Sequence, residues 1–150
     1  MNSNIKDNII VRPYDESIDK NFILATWMNS YYEYASRNCY LKKEIFFDEH
    51  EKIILELLNK DNVAVLSFSN DHTFIIGYVV YQDKIKKIIH YIFIKAPFRN
   101  LSYSKILLNS IGLNKDFLFT HSTKKFSKIL KGNTHTYNPY LFYNNQGGKI

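Results

Sequence analysis

The residues whose types and order can do chemistry run from His90 to Lys105, HYIFIKAPFRNLSYSK. Alternation along a strand puts Ile92 and Ile94 on one face with His90. Pro97 has no N–H for a ladder and ends that strand. From Ser102 the apolar spacing changes to Tyr103, Ile106, Leu107 and Ile111, the period of a helix, and Ser102 or Asn100 is of a type that caps one. A helix starting just past a strand aims its free amides at whatever lies beyond the strand, and such an end holds phosphate well. Lys95, Arg99 and Lys105 add positive charge around it. Anion binding is therefore the chemistry of this corner. His90 is a candidate for moving a proton beside it; a core histidine bonded to a neighbouring carbonyl accounts for the residue as well.

The elements that must position this corner follow in order. Asn8 to Tyr14 reads as a strand, and Asp15 caps a helix that runs to about Tyr34. Ser36 to Tyr40 is a loop, and residues 43–59 form a second helix. Val63 to Phe68 and Thr73 to Gln82 are strands joined by a hairpin turn over residues 69–72; Gly77 marks a bulge or a close backbone approach. Lys86 to Lys95 is the central strand. After the helix from Ser102, Phe117 to Thr120 is a strand, Thr123 to Lys131 a short helix stopped by Gly132, and His135 to Tyr143 a last strand or strand-loop-strand. The tail 144–150 is expected to fray. The result is an α/β fold: one domain over residues 1–150, with a mixed, mostly antiparallel central sheet, helices on both faces, and one parallel crossover that leaves a cleft at the end of the central strand.

Composition narrows the setting. Residues 1–83 carry 8 Lys/Arg and 13 Asp/Glu, whereas residues 84–150 carry 12 and 1. The second part, at +11, calls for a polyanionic partner: a phosphorylated cofactor, a nucleic acid or both. A solvated Lys-rich face explains the same charge. No apolar run reaches the roughly 18 residues of a membrane span, and the N-terminus lacks the blocks of a signal peptide, so a soluble, cytoplasmic protein with no membrane partner is expected. Cys39 is the only cysteine, which leaves no internal disulfide or cysteine metal cluster. The five histidines show no H-x-x-x-H spacing, and no metal is expected.

The stretch Ile94-Lys95-Ala96-Pro97-Phe98-Arg99-Asn100-Leu101-Ser102-Tyr103-Ser104 resembles the V-x-P-x-Y-R-x-x-G-x-G/A pattern of the GNAT superfamily of acyl-CoA-dependent N-acyltransferases. Ile94 takes the Val position, Phe98 the Tyr and Arg99 the Gln/Arg; Pro97 is one place late, and Ser102 and Ser104 stand where the family has Gly. Ile10-Val11-Arg12-Pro13 is similar to the first-strand signature, and Gly77-Tyr78-Val79-Val80 to that of the third strand. Thr120-His121-Ser122-Thr123 with Tyr137-Asn138-Pro139-Tyr140 resembles small GNAT-like proteins of tailed bacteriophages, which implies the cytoplasm of a bacterial host.

The resemblance implies a GNAT-like fold, acetyl-CoA as donor, and transfer of an acyl group to a primary amine of unknown identity. The CoA pyrophosphate would lie on the backbone N–H groups of Arg99, Asn100, Leu101, Ser102, Tyr103 and Ser104, with an amide near Ile94 polarising the thioester carbonyl. The serines matter, because a non-glycine residue at positive φ costs about 1–2 kcal/mol. Acyl transfer also needs a base and a proton donor for the thiolate. His90 is the base candidate, and Tyr137 or Ser127 the donor candidate. Packing accounts for any one of the 12 tyrosines equally simply. His121 and Ser122 are placed to line the acceptor pocket. Trp27, Tyr31, Tyr32 and Tyr34, near which the family shapes its acceptor site, also suit an ordinary amphipathic helix. The alternative reading is a catalytically degenerate GNAT-like protein that binds nucleic acid or a host protein through its basic half.

Overall fold

The middle of the chain alternates β-branched and aromatic residues and builds the sheet. In the computed structural model, which describes residues 8–37, 41–113, 116–124 and 134–141, six strands lie side by side in chain order. They are β1 (Ile9–Pro13), β2 (Asn62–Phe68), β3 (Asp71–Gln82), β4 (Lys87–Ile94), β5 (Asp116–Phe119) and β6 (Thr134–Tyr137). The first three pairings are antiparallel. The β4–β5 and β5–β6 pairings are both parallel, one more parallel pair than the single crossover expected from the sequence. Helices α1 (Glu16–Ala35) and α2 (Lys43–Lys60) cover one face, and α3 (Tyr103–Ser110) covers the other. The mixed α/β sheet with helices on both faces is thus as expected. The helix expected over Thr123–Lys131, with Ser127 and Gly132, extends beyond the described residues; Cys39 and the tail 144–150 lie outside them too.

Local chemistry sets the ends of α1. Asp15 is extended, and its carboxylate accepts the Ser17 N–H at 3.0 Å. Asp19, whose charge suits the first turn, does more than favour the dipole. It is fully buried and takes two 2.7 Å bonds from the Arg12 guanidinium, plus the Asp15 N–H at 2.8 Å. That bidentate pair ties β1 to α1. Two further ties hold α1 on the sheet. The Thr26 and Ser30 hydroxyls donate back to the carbonyls of Phe22 and Thr26 at 2.7 and 2.6 Å. Their oxygens then accept the phenols of Tyr78 (2.9 Å) on β3 and Tyr91 (2.5 Å) on β4.

Two apolar clusters fill the faces. Ile76, Val79, Ile89, Ile92 and Ile94 pack under α3 with Leu107 and Phe117. Val65, Tyr78, Val80 and Tyr91 pack under α1 and α2 with Ile23, Trp27 and Ile54. Gly77 lies opposite Ile94, and a Cβ there would meet the Phe93 carbonyl oxygen and sit 2.6 Å from Ile94 Cδ1. Close approach is thus its reason for being glycine, with a register shift of β2 against β3 immediately beside it. Among the described residues no helix is long and apolar enough to cross a membrane.

Candidate active site

The site begins where two parallel strands part. β4 and β5 pair only over Lys87–Ile89 and Phe117–Phe119, followed by one bond from Thr120 N–H to the Ile89 carbonyl at 3.1 Å. Beyond it, a cavity of 770 Å³ opens along the rest of β4. Its wall includes Tyr91 to Ile94 of β4, Ser30, Glu33, Tyr34 and Arg37 of α1, and Phe98 to Asn100 and Ser102 to Lys105 at the corner into α3. Thr123 and Lys124 complete it.

The corner is bent in a specific way. Residues 96–98 form one 3₁₀ turn with Pro97 in its first positions. Arg99 then folds back, its Nε donating to the Ile94 carbonyl at 2.8 Å with the guanidinium over the Phe93 ring. Asn100 and Ser102 both have positive φ, 63° and 67°. These are the only non-glycine residues of that kind among those described, and backbone held in this region is an observed strain that points to use. Ser102 sits at the N-cap position of α3 but makes no side-chain cap, correcting the expectation that Ser102 or Asn100 would cap it. The first-turn amides of α3 therefore receive no bond from the Ser102 side chain, and a helix start of this kind suits an anion. Ser104, at the second glycine position of the GNAT pattern, lies inside α3 at ordinary helical φ and carries no strain. Only Ser102 pays the cost foreseen for both serines.

Electrostatics favour an anion. Arg37, Arg99, Lys105 and Lys124 face the cavity against one carboxylate, Glu33, which lies 3.7 Å from Arg37. Of the expected cofactor residues, Ile94, Arg99, Asn100, Ser102, Tyr103 and Ser104 line this cavity, whereas Leu101 points away and is exposed. Lys95 also leaves the site, its ammonium lying over the rings of Phe74 (4.3 Å) and Phe22 (5.2 Å).

His90 is not where alternation put it. Val80 pairs with Tyr91 and Tyr81 with Ile89, so His90 is an extra residue on β4. This bulge inverts the alternation. Ile89 shares the α3 side with Ile92 and Ile94, and His90 turns to the other face, opposite to the expected placement. There it is wholly buried, with Nδ1 3.0 Å from Thr120 Oγ1 and Nε2 2.8 Å from Asp61 Oδ2. The latter contact is short but bent out of hydrogen-bond line, and neither atom has another partner. Tyr91, the next residue, is the one that reaches the cavity wall. Its ring stacks on Trp27, centroids 4.7 Å apart, and burial pushes its phenol up to about 12. Tyr137 is half-exposed beside Phe119, outside the cavity wall, and burial with Tyr34 and Tyr140 nearby raises its phenol. His121 is buried and meets Thr120 and His50 rather than the cavity. His50, in α2, was not singled out in the sequence as part of the site. Nothing in its spacing could have paired it with His121, 71 residues away. Among the described residues, no three His, Cys, Asp or Glu are grouped to hold a metal.

The fold is one shared with solved structures of acetyltransferases. A protein of Pyrococcus furiosus described as an acetyl transferase superposes with a TM-score of 0.57, covering 95% of this chain and 93% of its own at 16% identity. A protein of Staphylococcus aureus described as a GNAT family acetyltransferase gives 0.52, covering 83% and 96% at 11% identity. At these identities the likeness is one of fold. No protein-family profile and no curated protein sequence matches the chain.

Proposed function

We propose that this chain is an acyl-CoA-dependent N-acyltransferase, with acetyl-CoA as the donor and a primary amine as the acceptor. The observation that carries the reading is the corner Arg99–Lys105: two positive-φ residues and an uncapped helix start, set in a basic wall at the mouth of parted strands. A polyphosphate is the ligand such a corner suits. The amides of residues 100–104, with the side chains of Lys105 and Arg99, would hold the CoA pyrophosphate, the Arg99 amide being taken by the Ala96 carbonyl at 3.2 Å; the thioester supplies an activated acyl group. Arg99 keeps the corner in place through the Ile94 carbonyl. Tyr34 is half-buried and its place in the cavity wall, where Tyr137 does not reach, favours it as proton donor to the thiolate ahead of its neighbour Tyr137. The acceptor enters from the α1 side, past Glu33 and Ser30. The cytoplasm of a bacterial host is the expected setting, as the resemblance to phage-encoded proteins implies.

A melting scan tests the reading. Acetyl-CoA at about 100 times its Kd should add about 2.7 kcal/mol to stability, and a thiol-release assay with an amine panel should show turnover. Tyr34→Phe should slow that turnover more than Tyr137→Phe. No shift with acetyl-CoA or CoA, together with salt-steep binding to oligonucleotides, would replace the transferase with a nucleic-acid-binding protein of the same fold.

A further inference from the structure

One face of α1 supplies the cavity with a row of four polar side chains. Ser30, Glu33, Tyr34 and Arg37 all stand in the wall. Their order in the sequence, i, i+3, i+4 and i+7, is that of a single helical stripe. Ser30 is its inner end, where the hydroxyl meets the Tyr91 phenol of β4 at 2.5 Å. Glu33 and Arg37 form the outer end. Glu33 Oε1 lies 3.7 Å from Arg37 Nη2, beyond hydrogen-bond reach, and the two side chains are 69% and 71% exposed. An exposed pair of this kind contributes little to stability, so a ligand that comes between the two charges gives up little. The place of Glu33 argues the same way. It stands in the last turn of α1, where the helix dipole disfavours a carboxylate, and that turn holds no basic residue. A cation arriving beside Glu33 relieves this conflict.

We propose that this stripe selects the acceptor, and that the acceptor is a free α-amino acid whose ammonium meets the Glu33 carboxylate and whose carboxylate meets the Arg37 guanidinium. The inference rests on the acyltransferase reading and names its amine. An α-amino acid carries both charges on one carbon, with nitrogen and carboxylate oxygen about 3 Å apart. That spacing is close to the 3.7 Å between Glu33 and Arg37, so the zwitterion lies across the pair with each charge opposite its counterpart. Guanidinium and carboxylate match as a two-pronged fork, and the ammonium has three donors, of which Glu33 takes one or two. The amine nitrogen is thereby held beside Tyr34, the next residue on the stripe and the donor assigned to the thiolate. Other amines fit less well. The second ammonium of a diamine meets Arg37 or Lys124, which is also in the wall. An amino sugar or a peptide N-terminus satisfies Glu33 and brings no carboxylate to Arg37 from the same carbon. Arg99 and Lys105 stand at the corner, where the CoA phosphates are placed, which leaves Arg37 as the cation that α1 offers to the acceptor.

An acetylation assay with saturating acetyl-CoA and matched acceptors tests this. Each standard L-amino acid is compared with its amide, which keeps the amine and loses the carboxylate charge, and with a set of diamines. The preferred amino acid should have a kcat/KM about tenfold or more above that of its amide, and diamines should be poorer still. Arg37→Gln should erase the preference for acid over amide by raising the KM of the amino acid, with the KM for acetyl-CoA unchanged. Exchanging the pair, Glu33→Arg with Arg37→Glu, keeps an ion pair on α1 and reverses its direction. The exchanged protein should lose amino-acid turnover while its Tm and its affinity for acetyl-CoA hold. Amides or diamines used as well as the acids, or a wild-type KM in the exchanged protein, overturn the proposal and leave the acyltransferase reading in place. If no amine is acetylated at all, that reading fails, and saturation-transfer NMR with the same acids and amides still decides the stripe. Acids that bind the wild type and neither their amides nor the exchanged protein uphold it; no binding, or equal binding of acid and amide, overturns it.

Discussion

Replacing Ser102 with glycine should stabilise the protein. Ser102 has φ of 67° and ψ of 17°, and its hydroxyl caps nothing. Relief of left-handed backbone strain is worth about 1–2 kcal/mol. Glycine gives back about 0.5–1 kcal/mol through the freedom it adds to the unfolded chain. The net gain is about 0.5–1 kcal/mol, which for a chain of this size raises Tm by about 2–3 °C. Ser102→Ala keeps the Cβ and should gain nothing, which makes it the control. The removed Cβ also clears the approach to the amides of the corner, so CoA affinity should rise or hold. Differential scanning fluorimetry of wild type and both variants, with and without CoA, reads all of this. A Tm for Ser102→Gly below that of Ser102→Ala would refute the reasoning, because both lack the hydroxyl and that order would mean that the Cβ carries less strain than the entropy glycine adds to the unfolded chain.

Gly77→Ala should cost about 3 kcal/mol or more, since the new Cβ meets a backbone oxygen of β4 that cannot swing aside; urea denaturation checks it. Lys105→Glu should weaken CoA binding about tenfold, or about 1.4 kcal/mol, with the KM of the amine unchanged, as read by calorimetry and kinetics. Stability should fall as pH drops from 6.5 to about 4, because the unfolded chain binds a proton that native His50 refuses. The His50 contribution is about 3 kcal/mol across that window; denaturant midpoints at pH 7 and 4.5 should differ accordingly, and His50→Gln should flatten part of the difference.

Legibility in the sequence followed the range of the forces involved. Asp15 as an N-cap, the β-branched strands and the hairpins are local, and each was readable within a few residues. Gly77 was readable as an irregularity, and only the pairing with Ile94 made it a close approach. Asp19 looked like a first-turn acid suited to the dipole, and its bond to Arg12 needed β1 beside α1. The corner at Ser102 was readable as a basic strand-to-helix turn from its proline, its serine and the change of apolar spacing. That one serine is strained and the other relaxed came from where α3 begins, one residue after Ser102.

From the order of its residues alone, this chain declares a mixed α/β sheet and a basic corner between a strand and a helix, because propensity, proline and charge act over neighbouring positions. The direction in which His90 points belongs to the tertiary structure. A single extra residue on β4, opposite the step from Val80 to Tyr81, inverts a period of two, and only pairing with another strand can place such a bulge. The same holds for the meeting of Asp61, His90, Thr120, His121 and His50: their contacts join three separate elements of the chain, and no local pattern brings them together.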